Sequence, residues 1–435
     1  MNLVHLARWG KIVAIGVGIT LAIIDGMRAV SHATAATRAE AASDVPQYRG
    51  AARAILDGTN LYEVTNKKGS PYSGPPALAV AMLPLVLFNE FWGSLLWYVL
   101  TVLISIHTIW LCTQIGRKFW PVAGSQRFWL YSLACLLVLP QFWNGLRWQN
   151  VSLLVSYLLI ASLWLDMNDR PCWAGLCLAG GIVLKVFPAL LIVYFIWKRR
   201  FRVTAFAALW SIVLLVVIPG AVMGWKQNMS YLRQWWTQVC LSASAPDMAT
   251  GSAVFKRAYG LGRTNNHSVQ GVLYRLVAGS GGTDDSRMDR LARLAGRAVA
   301  ACLLLVSAYP MWRGRAEKDQ RRSVLEYCLA LLLMLLISPV TLFHYITVLA
   351  LPVMIGILSL AGDMASPQSR GYLMGLFVYS VANLAVSVST SLFTHGVLLV
   401  GLLALWGSFV WALAHEKSGE LETDGAGGLP VLRRA

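Results

Sequence analysis

The chain has 435 residues, of which 57% are apolar and 13% charged, with a formal net charge of +17. Its mean hydropathy of +0.58 excludes an ordinary soluble protein, because the apolar segments exceed what one core can bury. An all-α polytopic membrane protein is expected, since segments of about 20 apolar residues recur roughly a dozen times between polar loops.

The first segment, KIVAIGVGITLAIIDGMRAV, predicts a retained helix over 12–31, with no small-residue cleavage site after it. Asp25 and Arg28 in its outer third read as an i,i+3 ion pair. Next comes SDVPQYRGAARAILDGTNLYE (43–63). Asp44, Tyr48, Ala51, Ala52, Ile55 and Leu56 fall at helical spacing behind a Ser43/Asp44 cap, and Gly58 is placed to end the helix, so a short amphipathic helix at the outer surface is predicted. Asp44 has two readings here, an N-cap or a reactive carboxylate at the water boundary. The run PPALAVAMLPLVLF (75–88) is too short to span and opens on two prolines, so it reads as re-entrant or juxtamembrane.

Spans are then predicted at 92–115, 127–145 and 150–166, as a broken pair over 173–197, and at 203–224, 291–312, 323–338, 345–361, 371–391 and 395–415. Lys185 and Pro188 interrupt the broken pair, which would open Lys185 to a cavity. Arg8 and Lys11, Arg117 and Lys118, KRRFR (198–202) and Arg313 to Arg322 are all placed inside by the positive-inside rule. Residues 1–11 and the disordered tail 416–435 are then cytoplasmic, and 12–415 form one membrane unit. Loops 32–75 and 225–290 face outward, with the turns NGLRWQN (144–150) and SPVTLFHY (338–345). The outer loops carry Lys67, Lys68, Lys256, Arg257, Arg263 and Arg275, either as tolerated surface charge or for an anionic ligand in the outer leaflet. The seven cysteines show no metal-ligand spacing and read as packing residues. Three N-x-S sequences, at Asn150, Asn228 and Asn266, would be glycosylated only in a eukaryotic secretory setting.

Six stretches in order resemble one family. Asp44, Tyr48, Ala52, Leu56, Gly58 and Tyr62 follow D-x-x-x-Y-x-x-A-x-x-x-L-x-G-x-x-x-Y, with one residue more between Tyr and Ala. SGPPALAVAMLPL is similar to a Y-P-P-L segment, RWQNVSLLVSYLLIASL to G-Q-x-N-x-L-L, and AGLCLAGGIVLKVFPALLIVYFIWKRRF to A-G-x-x-L-G-x-A-x-x-L-K-x-x-P. NNHSVQGVLYRL resembles an N-Q-S segment and ISPVTLFHYITVLALP an S-P-x-S-W-x-H-Y run. The chain departs from these patterns at Trp148, where the family has Gly, and at His267 in place of Gln. Over about residues 40–360 it resembles the polyprenyl-phosphate-mannose-dependent mannosyltransferases of glycosyltransferase family 87.

The resemblance implies a GT-C-type bundle of about 12 transmembrane helices with outward-facing juxtamembrane helices, in the inner (plasma) membrane, its active site facing the periplasm or exterior. It implies inverting transfer of a sugar, mannose first, from a polyprenyl-phosphate donor to a glycan or glycolipid hydroxyl. Membrane lipids are the remaining partner, and no nucleic acid is expected. Such a displacement needs a base for the acceptor hydroxyl, and Asp44 is the candidate. Charge growing on the leaving phosphate needs donors or cations. Lys185 at its helix break fits that role, with Arg147 and Arg263 beside it; a lysine snorkelling at a helix end is the alternative. His344 could hold the phosphate or orient the acceptor, or be a satisfied interfacial histidine. Tyr48, Gln149, Asn150, Asn266 and His267 are candidates for contacts to sugar or acceptor. No acidic pair with metal-ligand spacing lies nearby, so no metal and no cofactor are expected.

A secondary transporter or lipid flippase is the competing class, suited by twelve helices and a broken pair. The broken segment has no partner in the second half, however, and the candidate residues lie at the boundary. A non-catalytic scaffold would leave Asp44, Lys185 and His344 scattered.

Overall fold

The computed structural model describes residues 26–31, 34, 43–66, 69–122, 124–245, 251–279, 286–313, 319–361 and 366–415. Most of the predicted first helix including Asp25, the pair Lys67 and Lys68, and the tail 416–435 lie outside the described residues. Among the described residues the fold is all-helical, with only two isolated β-bridges. Six helices are long and apolar enough to cross a membrane, and shorter apolar helices lie at Ser152–Met167, Pro171–Leu184, Phe187–Trp197 and Val269–Ala278. The chain is a multi-pass membrane protein on this pattern.

The amphipathic helix α1 (Val45–Leu56) buries Val45, Tyr48, Ala51, Ala52 and Ala54. It ends before Gly58, whose φ of 68° a side chain would resist. Helix α2 (Pro76–Ala81) starts on Pro76, where the missing N–H costs nothing, and a second short turn, Leu83–Val86, completes the predicted juxtamembrane run. Helix α3 (Glu90–Phe119) then runs for 30 residues. The Asn89 side chain accepts from Trp92 N–H at its start, and Arg117 and Lys118 face its carbonyl end.

Helices α4 (Gly124–Trp148) and α5 (Ser152–Met167) meet at a tight turn. The predicted broken pair is α6 (Pro171–Leu184) and α7 (Leu190–Trp197). Lys185 leaves α6 with extended backbone, φ −150° and ψ 128°, and Pro188, which cannot donate to a helical ladder, sits in the single 3-10 turn that follows. Helix α8 (Phe201–Ile212) continues through a π turn at Val213–Val217 to Met223.

The predicted outer loop 225–290 contains α9 (Trp225–Trp235), α10 (Ala253–Tyr259) and α11 (Val269–Ala278). Helix α12 (Ser286–Arg313) leads to α13 (Gln320–Ile337), which the Asp319 side chain caps by accepting from Arg321 N–H and Arg322 N–H. From Val324 to Leu336 every residue of α13 is buried, so it is the central helix of the bundle. A 3-10 stretch, Phe343–Leu349, joins α14 (Ala350–Leu360), and α15 (Pro367–Val388) packs against α16 (Val397–Ala414).

The two ends of the bundle are fastened by polar contacts. At the end carrying KRRFR, Glu326 is fully buried between Lys198 at 2.7 Å and Arg322 at 3.2 Å, and Arg322 also donates to the Pro310 carbonyl at 2.7 Å. At the other end His267 N–H donates to the Thr341 carbonyl at 2.7 Å, tying the approach to α11 to the turn before His344.

Candidate active site

The turn between α4 and α5 organises the site. Gln149 holds a left-handed φ of 51°, a costly conformation for a residue with a side chain. Its side chain is fully buried. Gln149 Oε1 accepts from Ser43 Oγ at 2.7 Å and Ser94 Oγ at 3.0 Å, Nε2 donates to the Ser94 carbonyl at 3.0 Å, and Trp97 Nε1 donates to the Gln149 carbonyl at 2.8 Å. Gln149 therefore faces the scaffold, joining the start of α1 to α3. The Asp44 N–H donates to the Trp148 carbonyl at 2.9 Å, which brings the start of α1 against the same turn.

Asp44 stands at the N-cap position, one residue before α1, but makes no side-chain cap bond. That task passes to Ser43, whose Oγ accepts from Val45 N–H at 3.2 Å. The Asp44 carboxylate turns instead to Asn150, whose Nδ2 donates to Oδ2 at 2.5 Å. Asn150 Oδ1 accepts from Ser152 N–H at 2.8 Å and Ser152 Oγ at 2.6 Å, which fixes the amide with its NH2 toward Asp44. The same NH2 reaches the Tyr48 hydroxyl at 3.5 Å. Burial pushes the Asp44 carboxyl above its usual range, partly offset by the Asn150 bond, by Lys185, by Arg263 and by Tyr48. The upward shift makes Asp44 a stronger base near neutral pH.

Lys185 Nζ stands 3.6 Å from the centre of the Tyr345 ring, which stacks on Phe187 at 4.9 Å with 6° between the planes. The break in the helix thus aims the ammonium across an aromatic floor. Tyr259 meets Ser73 at 2.8 Å and the Tyr345 hydroxyl, and it lies in the electrostatic range of Asp44 and Arg263. Burial pushes the phenols of Tyr48, Tyr72 and Tyr259 above their usual range, so they act as neutral hydrogen-bonding groups. His344 is 9% exposed, lies in the field of Lys185, and buries Nε2 without a partner.

The fold brings Asp44, Tyr48, Asn150, Lys185, His344 and the exposed Arg263 to one group. It leaves the other candidates elsewhere. Arg147 is exposed at the end of α4, and no hydrogen bond or ion pair among the described residues ties it to Asp44. Asn266 is a clasp: its Oδ1 accepts from Ser268 N–H at 3.1 Å and Thr341 N–H at 3.0 Å. His267 is sealed between Phe343 and Phe393 with both ring nitrogens unpartnered, and burial together with Arg275 lowers it to about 3, so it is neutral.

Tyr345, Tyr259, Ser73 and Ser152 are site residues that sequence reasoning missed. Tyr345 had a signal, standing next to His344 in a recognised run. Ser73 likewise opens a recognised run, whereas Tyr259, the last residue of α10, had no signal, since its segment meets the site only in the fold.

The group has a negative and a positive side. Asp44 with Asn150 offers a proton acceptor, and Lys185, Arg263 and the His344 imidazole offer donors to an anion.

The model of glycosyltransferase family 87 matches residues 72–339. That range contains Lys185, Asn150 and Arg263, while Asp44, Tyr48 and His344 lie just outside it. A polyprenol-phosphate-mannose-dependent alpha-(1-2)-phosphatidylinositol mannoside mannosyltransferase of Mycobacterium tuberculosis is 26% identical over 321 residues, 69% of this chain and 67% of that protein. Its namesake from Mycolicibacterium smegmatis is 24% identical over 330 residues, 72% of this chain and 68% of that protein. The crystal structure of ArnT from Cupriavidus metallidurans bound to undecaprenyl phosphate covers 92% of this chain and 76% of its own, at 14% identity and a TM-score of 0.39. With the family model matching well over half of its length, the chain belongs to glycosyltransferase family 87 and is a glycosyltransferase.

Proposed function

We propose that the protein transfers a hexose, mannose in the first instance, from a polyprenyl-phosphate donor to a hydroxyl of a glycan or glycolipid. The transfer takes place at the outer face of the inner membrane, within a GT-C-type bundle of about twelve spans. Support comes from the family, from the names of the two mycobacterial relatives, and above all from one observation. The Asp44 carboxylate, its amide partner Asn150 and the Lys185 ammonium belong to one electrostatic group.

In this reading the acceptor oxygen attacks the anomeric carbon of the donor from the face opposite the phosphate. Asp44 takes the hydroxyl proton as the new C–O bond forms. The old bond from the anomeric carbon to the phosphate oxygen breaks, and its electron pair leaves with the polyprenyl phosphate. One displacement inverts the anomeric centre. Asn150 holds the carboxylate toward the acceptor. Lys185, with Arg263 and His344, meets the charge growing on the leaving phosphate. Protein cations fill the role a metal could otherwise take, so activity is expected to survive a chelator.

Purified protein offered a panel of radiolabelled polyprenyl-phosphate sugars tests the reading. Label moving to an acceptor lipid or glycan, with polyprenyl phosphate released, supports it. Uptake or flipping of the lipid with no sugar transferred would replace it with the transporter reading.

A further inference from the structure

Helix α1 has a second working side. Asp44 and Tyr48 lie one helical turn apart toward Asn150. Pro46, Arg49, Gly50 and Arg53 form a separate stripe, because positions three, four and seven apart share a face at 3.6 residues per turn. With Phe88, Asn89, Glu90 and Ser94 this stripe lines a cavity of about 440 Å³, so two arginines share it with one carboxylate.

Arg49 is built into that cavity. Its guanidinium donates to the carbonyls of Leu85 and, at 2.8 Å, Phe88, and lies against Gly93, where any added Cβ would collide with it. These partners are neutral, so its charge is not cancelled. Arg53 is exposed. Among the described residues neither arginine is in an ion pair; Glu90 acts on Arg49 through space, and Asp57 stands one turn beyond Arg53 at the end of α1.

The rim is apolar and uncovered. Leu87 is 84% and Trp92 56% exposed, and the open face continues down α3 through Leu96, Leu100 and Leu103. Helix α3 is one of the six candidate spans, so this face meets lipid chains. Two cations above an exposed apolar helix face match an amphiphile with an anionic head and hydrocarbon below it.

We propose that this cavity binds the phosphodiester headgroup of an anionic phospholipid, whose acyl chains lie along the open face of α3. The site is on the other side of α1 from Asp44, and it stands whether or not the proposed chemistry does.

Full-length protein in detergent, titrated with phosphatidylglycerol or phosphatidylcholine and read by native mass spectrometry, provides the test. Wild type should retain phosphatidylglycerol preferentially. Reversing one charge in Arg53→Glu should weaken that retention by about tenfold or more, at about 1 kcal/mol per cation, with phosphatidylcholine retention unchanged. Arg53→Lys should keep the preference, and because Arg53 is exposed, all variants should melt with wild type. Equal phosphatidylglycerol retention by wild type and Arg53→Glu overturns the proposal. Displacement of the lipid by an equal concentration of inorganic phosphate overturns it too, since the ligand would then be a free anion.

Discussion

Asn150 and Asp44, 106 positions apart in the chain, are joined by a 2.5 Å hydrogen bond from Nδ2 to Oδ2. The Ser152 backbone and hydroxyl decide which end of the amide faces the carboxylate. Asp44 therefore carries an orientation that its own helix does not supply.

Removing that partner should show in the pH profile. A base works only when ionised, so activity falls as pH drops through the Asp44 pKa, which burial raises and the Asn150 bond lowers. Asn150→Ala deletes a lowering influence, so the acid limb should move to higher pH. Turnover at the plateau should fall about 10- to 100-fold, the worth of a charge-assisted hydrogen bond of roughly 1.5–3 kcal/mol. Rates measured from acid to neutral pH check both parts, and an unmoved limb would remove Asn150 from the site.

Lys185→Ala should weaken use of the donor more than it slows a bound complex, because its partner is the phosphate. The donor KM should rise by about 10- to 100-fold. Tyr345→Leu takes away the cation–π floor 3.6 Å below the ammonium, with the Phe187 stack and the hydroxyl contact to Tyr259, but leaves the ammonium itself, so a smaller rise of a few fold, from about 0.5–2 kcal/mol, is expected. Steady-state kinetics against varied polyprenyl-phosphate sugar separate the two.

Gln149→Leu should act on stability. The substitution strands the Ser43 and Ser94 hydroxyls that now donate to Gln149 Oε1, at about 1–3 kcal/mol for each buried group left unpaired. A lowered melting temperature in detergent is the readout.

The far end of the bundle offers a control. Glu326 is buried between Lys198 and Arg322, so Glu326→Ala leaves two cations without their anion and should cost about 3–5 kcal/mol. The melting temperature should drop with the donor KM unchanged, because this cluster lies away from Asp44.

Much of the fold was legible because apolar runs and charge clusters are local signals. The break at Lys185 and Pro188 and the juxtamembrane run after Pro75 were both visible as interruptions of an apolar pattern. The helices inside loop 225–290 were hidden, since α9 and α10 are short and held by tertiary contacts. At the site, Asp44 and Lys185 stood out as charges at structural boundaries. The local pattern also suggested an N-cap for Asp44, and a partner from a distant turn outweighs that pattern. Gln149 and Asn266 fit a sugar-binding role in sequence because a buried amide and a binding amide look alike there; only the fold reveals that neighbouring backbone and hydroxyl groups occupy them.

The central claim is that Asp44 takes the acceptor proton, and the most direct test is single-turnover sugar transfer by Asp44→Asn, with donor binding measured on the same preparation. The account predicts that the variant stays folded and binds the polyprenyl-phosphate donor, while the transfer rate falls by about 10²- to 10⁴-fold, the usual contribution of a general base. Transfer at the wild-type rate would contradict it.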